Sequence, residues 1–184
     1  MPPAGPSATE PPTGYRFAPL QPGTPHFDEA VHLYQATWPG EAPEEEIRGF
    51  FARYAALPGY HGLVIVREDG AMVGFGFGAR SLAGNWWHDK VAAQVGGEHP
   101  ALQDAWALVD LATAPEARGQ GIGGALMETL LAAQPCPRAL LSTEVSNATA
   151  RRLYERHGWR YLHPGFAFAP GDQPFVVMAR ELAS

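Results

Sequence analysis

The stretch Arg118-Gly119-Gln120-Gly121-Ile122-Gly123-Gly124 constrains this chain more than any other, because an apolar, strand-like run at 106–113 precedes it and a helix-like run at 121–134 follows it. Strand, glycine turn and helix start together make an anion cradle. Glycines at 121, 123 and 124 leave the backbone uncovered by Cβ atoms. Its N–H groups can then approach a ligand closely, and the helix dipole adds roughly half a positive charge. Phosphate is the natural guest. The spacing fits neither the dinucleotide fingerprint nor a P-loop, since no Gly-Lys-Ser/Thr follows. Taken alone, the glycines are equally compatible with an ordinary turn.

One strand further along stands Asn147-Ala148-Thr149-Ala150-Arg151-Arg152-Leu153-Tyr154-Glu155-Arg156-His157-Gly158-Trp159. The pair Arg-Gly-x-Gly-Ile-Gly at 118–123 and Asn-x-x-Ala-x-x-Leu-Tyr-x-x-x-Gly-aromatic at 147–159 resembles the two acetyl-CoA-binding motifs of the GNAT superfamily of N-acetyltransferases. The likeness covers about residues 106–161. It implies an α/β (α+β) fold: a central mixed, largely antiparallel sheet of about seven strands flanked by helices, in which a splayed strand pair holds the cofactor.

With 184 residues, 46% hydrophobic and 17% charged, the chain sits in the range of one domain able to bury its own core. No run approaches the roughly 18 apolar residues of a membrane span, and the start lacks the regions of a signal peptide. A cytoplasmic protein is expected. The single cysteine, Cys136, excludes an internal disulfide and a Cys-rich metal site; between Pro135 and Pro137 it reads as a bystander loop thiol. A formal charge of −6 argues against nucleic-acid or anionic-membrane partners and fits a cationic small acceptor. The histidines show no metal-ligand spacing.

Residues 1–14, proline-rich with little to bury, read as a disordered tail, and 15–184 as one N-acetyltransferase domain. Residues 15–20 alternate like a first strand. Helices are predicted at 26–38 and 43–57, the second with Pro43 and three glutamates at its start and Ile47, Phe50, Phe51 and Tyr54 as its apolar stripe. Runs 62–67 and 72–80, joined through Glu68-Asp69-Gly70, predict a hairpin. The connection 81–104 holds Trp86 and Trp87 and allows a short strand or helix around 91–95. Beyond the glycine helix, with Leu126, Leu130 and Leu131 on its buried stripe, come a strand at 139–145, a helix at 147–157 stopped by Gly158, and strands at 159–168 and 174–182.

Several roles follow from the resemblance. It implies that the pyrophosphate of coenzyme A rests on N–H groups from Gly119 to Gly124, with Gln120 and Ile122 contributing backbone. Arg118 either meets phosphate or fixes the loop through carbonyls. Backbone at Leu111, Ala112 and Thr113 is left by the splay to pair with the pantetheine arm, and an N–H at Leu111 or Ala112 faces the thioester oxygen. Tyr154 matches the tyrosine near the coenzyme A sulfur, the alternative being a core aromatic. Asn147 is both an N-cap candidate and a contact to the cofactor arm.

Asp110 is a carboxylate in an apolar strand, costly to bury without a partner. It reads as facing the cleft, where the family resemblance implies that it binds or deprotonates the acceptor amine; a salt bridge to an arginine is the structural alternative. Glu144 and His88 are alternatives as base. Tyr34, Trp38, Phe75, Phe77, Trp86, Trp87 and Phe166 are candidates for an acceptor pocket, each also readable as core packing.

The expected function is therefore transfer of an acetyl group from acetyl-CoA to a primary amine of a small molecule, in a ternary complex that releases coenzyme A. Neither nucleic acid, membrane nor metal is expected to take part, and relatives suggest a homodimer. Alternatives are a protein N-terminal or lysine acetyltransferase, or a non-catalytic acyl-CoA sensor.

Overall fold

The computed structural model describes residues 10–182. Its seven strands form one mixed sheet in the order β1-β2-β3-β4-β5-β7-β6. The strands are β1 Tyr15–Pro19, β2 His61–Arg67, β3 Met72–Ser81, β4 Ala105–Thr113, β5 Arg138–Glu144, β6 Arg160–Phe166 and β7 Phe175–Glu181. Five helices accompany them: α1 Pro25–Thr37, α2 Glu44–Ala55, α3 Trp86–Val95, α4 Ile122–Ala132 and α5 Ala148–Arg156. The α/β class expected from the sequence is the one found. Most of the proposed tail, residues 1–9, lies outside the described residues, while further along Glu68 N–H donates to Gly14 O at 3.1 Å. Among the described residues no helix is long and apolar enough to cross a membrane.

The chain divides into two compact units. The first comprises the residues up to Ala79 together with Asp110–Ala133. Here β1, β2 and β3 run antiparallel, Tyr15 opposite Arg67 and Val64 opposite Phe75, with a register shift between Ile65 and Val66. The Asp69-Gly70 turn closes the hairpin, Gly70 at φ +89° and Asp69 Oδ1 accepting from Ala71 N–H at 3.0 Å. Glycines at 74 and 76 let the layers close up. A Cβ at Gly74 would lie 3.0 Å from Ala112 O and 3.2 Å from Leu126, and one at Gly76 would lie 3.0 Å from both Leu111 and Leu130. Phe51 of α2 packs its ring 5.5 Å from Phe75 and 4.9 Å from Phe77, forming an aromatic core under that helix. Pro43 stands at the N-cap of α2, so Glu44, Glu45 and Glu46 occupy its first turn, where the helix dipole favours them.

The second unit comprises Arg80–Val109 and the residues from Gln134 onward. Seven antiparallel pairs join β5 to β7, from Arg138 opposite Glu181 to Glu144 opposite Phe175. The edge strand β6 carries Pro164 and Gly165 where its register shifts, a tolerable place for residues that interrupt a ladder. The parallel β4–β5 ladder runs Ala105 to Arg138, Trp106 to Ala139 and Ala107 to Leu140. The connection at 81–104 is more helical than the sequence suggested. Its helix α3 opens at Trp86, five residues before the expected start, after Gly84 N–H donates to Asp89 Oδ1 at 2.9 Å. Asn147 caps α5 by accepting from Ala150 N–H at 3.1 Å, and Gly158 at φ +81° stops it.

Candidate functional site

In the first unit the glycine stretch is a loop and a helix start, as its spacing predicts. After a 3-10 turn at Pro115–Ala117, Arg118 is extended and both Gly119 (φ +76°) and Gly121 (φ +79°) are left-handed, Gly121 forming the N-cap of α4. Ala125 N–H is the first to return to the helix, donating to Gly121 O at 3.0 Å. The N–H groups of Gly119 through Gly124 donate to no protein acceptor among the described residues. A Cβ at Gly119 or Gly121 would meet no atom within 4 Å, so open space lies over them.

Side chains around this loop hold its shape. Arg118 Nε donates to Thr113 O at 3.2 Å, the loop-fixing alternative of the two roles considered. Tyr15 donates to Gln120 Oε1 at 2.7 Å, and Gln120 is exposed. Ile122 is buried with Ala114, Ala117 and Leu126, which roots the helix start in the core and leaves only its backbone to a ligand.

Asp110 sits on the part of β4 that belongs to this unit, followed by Leu111, Ala112 and Thr113. The residue is half-buried, yet its Oδ2 is sealed from solvent and has no hydrogen-bond partner among the described residues. It makes no ion pair there either, so the alternative of a salt bridge to arginine is not what the structure holds. Burial first, then the charge of Glu41, pushes its carboxyl well above the usual carboxylate range. Asp110 in turn acts on two phenols: Tyr34 and Tyr54 are raised mainly by burial and next by its charge.

Tyr34 belongs to a second feature of the unit. Between α1 and α2 lies a cavity of about 400 Å³ lined by Tyr34, Glu41, Glu46, Ile47, Phe50 and Arg53. Tyr34 donates to Glu41 Oε2 at 3.0 Å, and its ring lies 4.7 Å from Trp38 and 6.4 Å from Phe50. Of the aromatics expected to build an acceptor pocket, Tyr34 lines this one and Trp38 packs against Tyr34 with its ring tilted by 51°. Phe75 and Phe77 do not line it; they are fully buried core, with Phe77 6.1 Å behind Phe50. Glu41, Glu46, Phe50 and Arg53 were not singled out as site residues from sequence. The available signal was Glu46, Phe50 and Arg53 at i, i+4 and i+7, one stripe of α2.

The remaining candidates lie in the second unit. Tyr154 is buried on α5, edge-on to Trp159 at 6.0 Å. Asn147 is the N-cap of the same helix. Trp86 is 60% exposed on α3, beside Phe168 and Lys90; Trp87 donates to Ser142 Oγ at 3.0 Å. His88 is buried in hydrogen-bond contact with Ser81 Oγ at 2.9 Å, and Glu144 accepts from Ser146 at 3.2 Å. Cys136 is buried, which pushes its thiol up and makes it less reactive. Phe166 packs 4.6 Å from Phe168.

Comparison with known proteins bears on the family and the fold. Residues 27–159 match the acetyltransferase (GNAT) family. The GCN5-like protein acetyltransferase Rv2170 of Mycobacterium tuberculosis is 34% identical over 126 residues, which cover 62% of this chain and 61% of that protein. The chain thus spans about three fifths of that relative's length. A GCN5-related N-acetyltransferase from Kribbella flavida superposes with a TM-score of 0.66 at 18% identity, over 93% of this chain and 99% of that one. A chain of the NatC complex bound to Gag peptide and CoA does so with a TM-score of 0.67 at 18% identity, over 92% and 99%. At such identities the structural likeness is one of fold.

Proposed function

The chain belongs to the acetyltransferase (GNAT) family, and from that premise we propose that it transfers an acetyl group from acetyl-CoA directly to a primary amine of a small molecule. The observation that carries the cofactor assignment is the run of backbone N–H groups from Gly119 to Gly124 without a protein acceptor, under open space at Gly119 and Gly121. Such a row at a helix start suits a pyrophosphate.

Acetyl-CoA, when bound, supplies the thioester carbonyl that the amine attacks. In this reading Gly119–Gly124 hold the phosphates through main chain, while Arg118, engaged with Thr113 O, keeps the loop in shape. Backbone at Leu111, Ala112 and Thr113 would line the pantetheine arm, and the N–H of Leu111 or Ala112 would polarise the carbonyl. A single such donor is typically worth about 3 kcal/mol. The family resemblance alone assigns Asn147, the N-cap of α5, a contact to that arm, and Tyr154 Oη the proton that the departing sulfur would need.

Asp110 receives the amine proton. An alkylammonium, with a pKa near 10.4, loses its proton less steeply to a carboxylate of raised pKa than to an ordinary one. A nearby cation also favours the ionised form that Asp110 must adopt before acting as base. The setting we infer is cytoplasmic, with a small-molecule acceptor, no nucleic acid or membrane partner, and a possible homodimer.

A second reading, acetylation of a protein amine, is favoured by the name of the Mycobacterium tuberculosis relative. The test is calorimetric binding of coenzyme A together with thiol release from acetyl-CoA over a panel of amines and peptides. Coenzyme A at about 100 times its dissociation constant should stabilise the protein by roughly 2.7 kcal/mol. Gly121→Asp, which sets a carboxylate where phosphate belongs, should abolish that shift with the fold retained. Unchanged affinity in the variant would sink the assignment.

A further inference from the structure

We propose that Tyr15, on the first strand of the sheet, is a positioning residue for the cofactor loop: through Gln120 it holds the backbone of Gly119–Gly124 in its anion-receiving form before coenzyme A arrives. The proposal deepens the acetyltransferase reading and rests on it. It places a determinant of cofactor affinity outside the two motifs that carry the family resemblance.

The loop needs such a hold. Gly119 and Gly121 are both left-handed, at φ +76° and +79°, and a glycine adopts positive and negative φ with similar ease. Nothing in their own chemistry keeps the N–H groups aligned, and order that is lacking before binding lowers affinity. Fixed points stand at alternate residues. Arg118 Nε donates to Thr113 O at 3.2 Å, and Ile122 is buried with Ala114, Ala117 and Leu126. Between them Gln120, exposed and flanked by the two left-handed glycines, carries the one side chain at 119–121. That side chain is the handle by which the tip of the loop can be held.

Tyr15 takes hold of it. Its hydroxyl donates to Gln120 Oε1 at 2.7 Å across 105 residues of sequence, and Gln120 Nε2 reaches back to Glu116 O at 3.5 Å. The phenol is itself fixed in place. Its ring packs against the cluster that contains Ala114, Ala117 and Ile122, so the strand, the 3-10 turn and the helix start share one core. Its backbone N–H donates to Pro12 O at 3.0 Å, and it lies opposite Arg67 in the β1–β2 ladder. Arg67 does not compete for the hydroxyl proton, because a guanidinium has only donors, and its Nη2 is engaged by Asp69 at 2.6 Å. A hydrogen bond between exposed groups adds little to overall stability, since water can replace it, but it selects one shape of the loop. Its loss should be felt in cofactor affinity more than in folding.

The full-length chain is titrated calorimetrically with coenzyme A, and its kinetics are followed as a function of acetyl-CoA. Tyr15→Phe keeps the ring in its cluster and deletes the donor. We expect it to raise the Kd for coenzyme A and the KM for acetyl-CoA about threefold to tenfold, with kcat at saturation held. Gln120→Ala should do the same, and the double variant should be no weaker than either single one, because both remove the same bond. Tyr60 donates to Leu20 O, also at 2.7 Å, and bonds no residue of the loop, so Tyr60→Phe should lower Tm by about 2–4 °C and leave coenzyme A affinity alone. Wild-type affinity in both Tyr15→Phe and Gln120→Ala, in a protein that binds coenzyme A, overturns the proposal and leaves the acetyltransferase reading intact. Losses that add in the double variant overturn it too, since the two side chains would then act separately, as does an equal loss of affinity in Tyr60→Phe. Absence of coenzyme A binding in the unaltered protein strikes the acetyltransferase reading, and the proposal falls with it.

Discussion

The phenol of Tyr34 donates to the carboxylate of Glu41 at 3.0 Å, across the turn that joins α1 to α2. Burial, Asp110 and Glu41 all oppose ionisation of this phenol, and burial alone pushes Tyr60 up to about 12. Tyr54 is raised as well. An unfolded chain loses its tyrosine protons near pH 10. Between that pH and the raised values the folded state binds more protons, so stability falls as pH rises through the window. Ultraviolet titration of the folded protein should therefore show an ionisation step near pH 10 that Tyr34→Phe leaves unchanged in height. A smaller step in the variant would place Tyr34 among the ordinary phenols.

Gly76 is required by contact, not by backbone angle. A Cβ there would lie 3.0 Å from Leu111 and from Leu130, in a packed layer with little room to yield. Gly76→Ala should cost about 1–3 kcal/mol. Gly97→Ala, where a Cβ meets nothing within 4 Å, should be close to neutral. Urea midpoints for the two variants give the comparison, and equal midpoints would show that the Gly76 contacts relax freely.

Asn147 accepts from Ala150 N–H and so caps α5, whose one buried residue is Tyr154. Asn147→Ala should lower stability by about 1 kcal/mol, or about 2–4 °C in Tm for a chain of this size. Tyr154→Phe keeps the ring against Trp159 and deletes only the hydroxyl. We expect coenzyme A affinity to hold while turnover falls about tenfold to a thousandfold. Full turnover at saturating substrate would make Tyr154 a packing residue.

Local chemistry explains which parts of the molecule were legible in the sequence. Gly121 and Gly158 bracket helices because their left-handed φ is encoded by glycine itself, and Asn147 marks a cap because its side chain can accept from the first turn. Other features depend on what packs against what. Helix α3 begins at Trp86 because Val91 and His88 find buried places and Trp87 reaches Ser142, none of which is local. The alternation Gly74-Phe75-Gly76-Phe77-Gly78 shows that both phenylalanines share a face, but not that the face looks into the core. Likewise Glu46 and Arg53 read as a solvated helix surface, and only the approach of α1 turns that stripe into the wall of a cavity.

At Asp110 the cost of burial stands against the role proposed for it in the reaction. Its buried, unpartnered Oδ2 and the neighbouring charge of Glu41 make the ionised form costly in the folded state. An unfolded Asp ionises near pH 3.9. From there up to the raised folded value the folded protein binds more protons than the unfolded chain, so stability falls with rising pH, and above it the full penalty persists. Asp110→Asn removes this titration. The variant should gain stability over wild type as the pH is raised from about 4 to 7, each kcal/mol appearing as about 2–4 °C in Tm. Coenzyme A affinity should be nearly unchanged, because the proposed phosphate contacts come from the backbone after Arg118. Acetylation of a cationic amine should slow, and raising the pH should partly restore the rate by supplying free amine if Asp110 takes the proton. If it serves only to attract the cation, the loss should appear in KM and shrink for neutral acceptors. A variant less stable than wild type at pH 7 would show that Asp110 has a stabilising partner, and wild-type kinetics would remove it from the reaction.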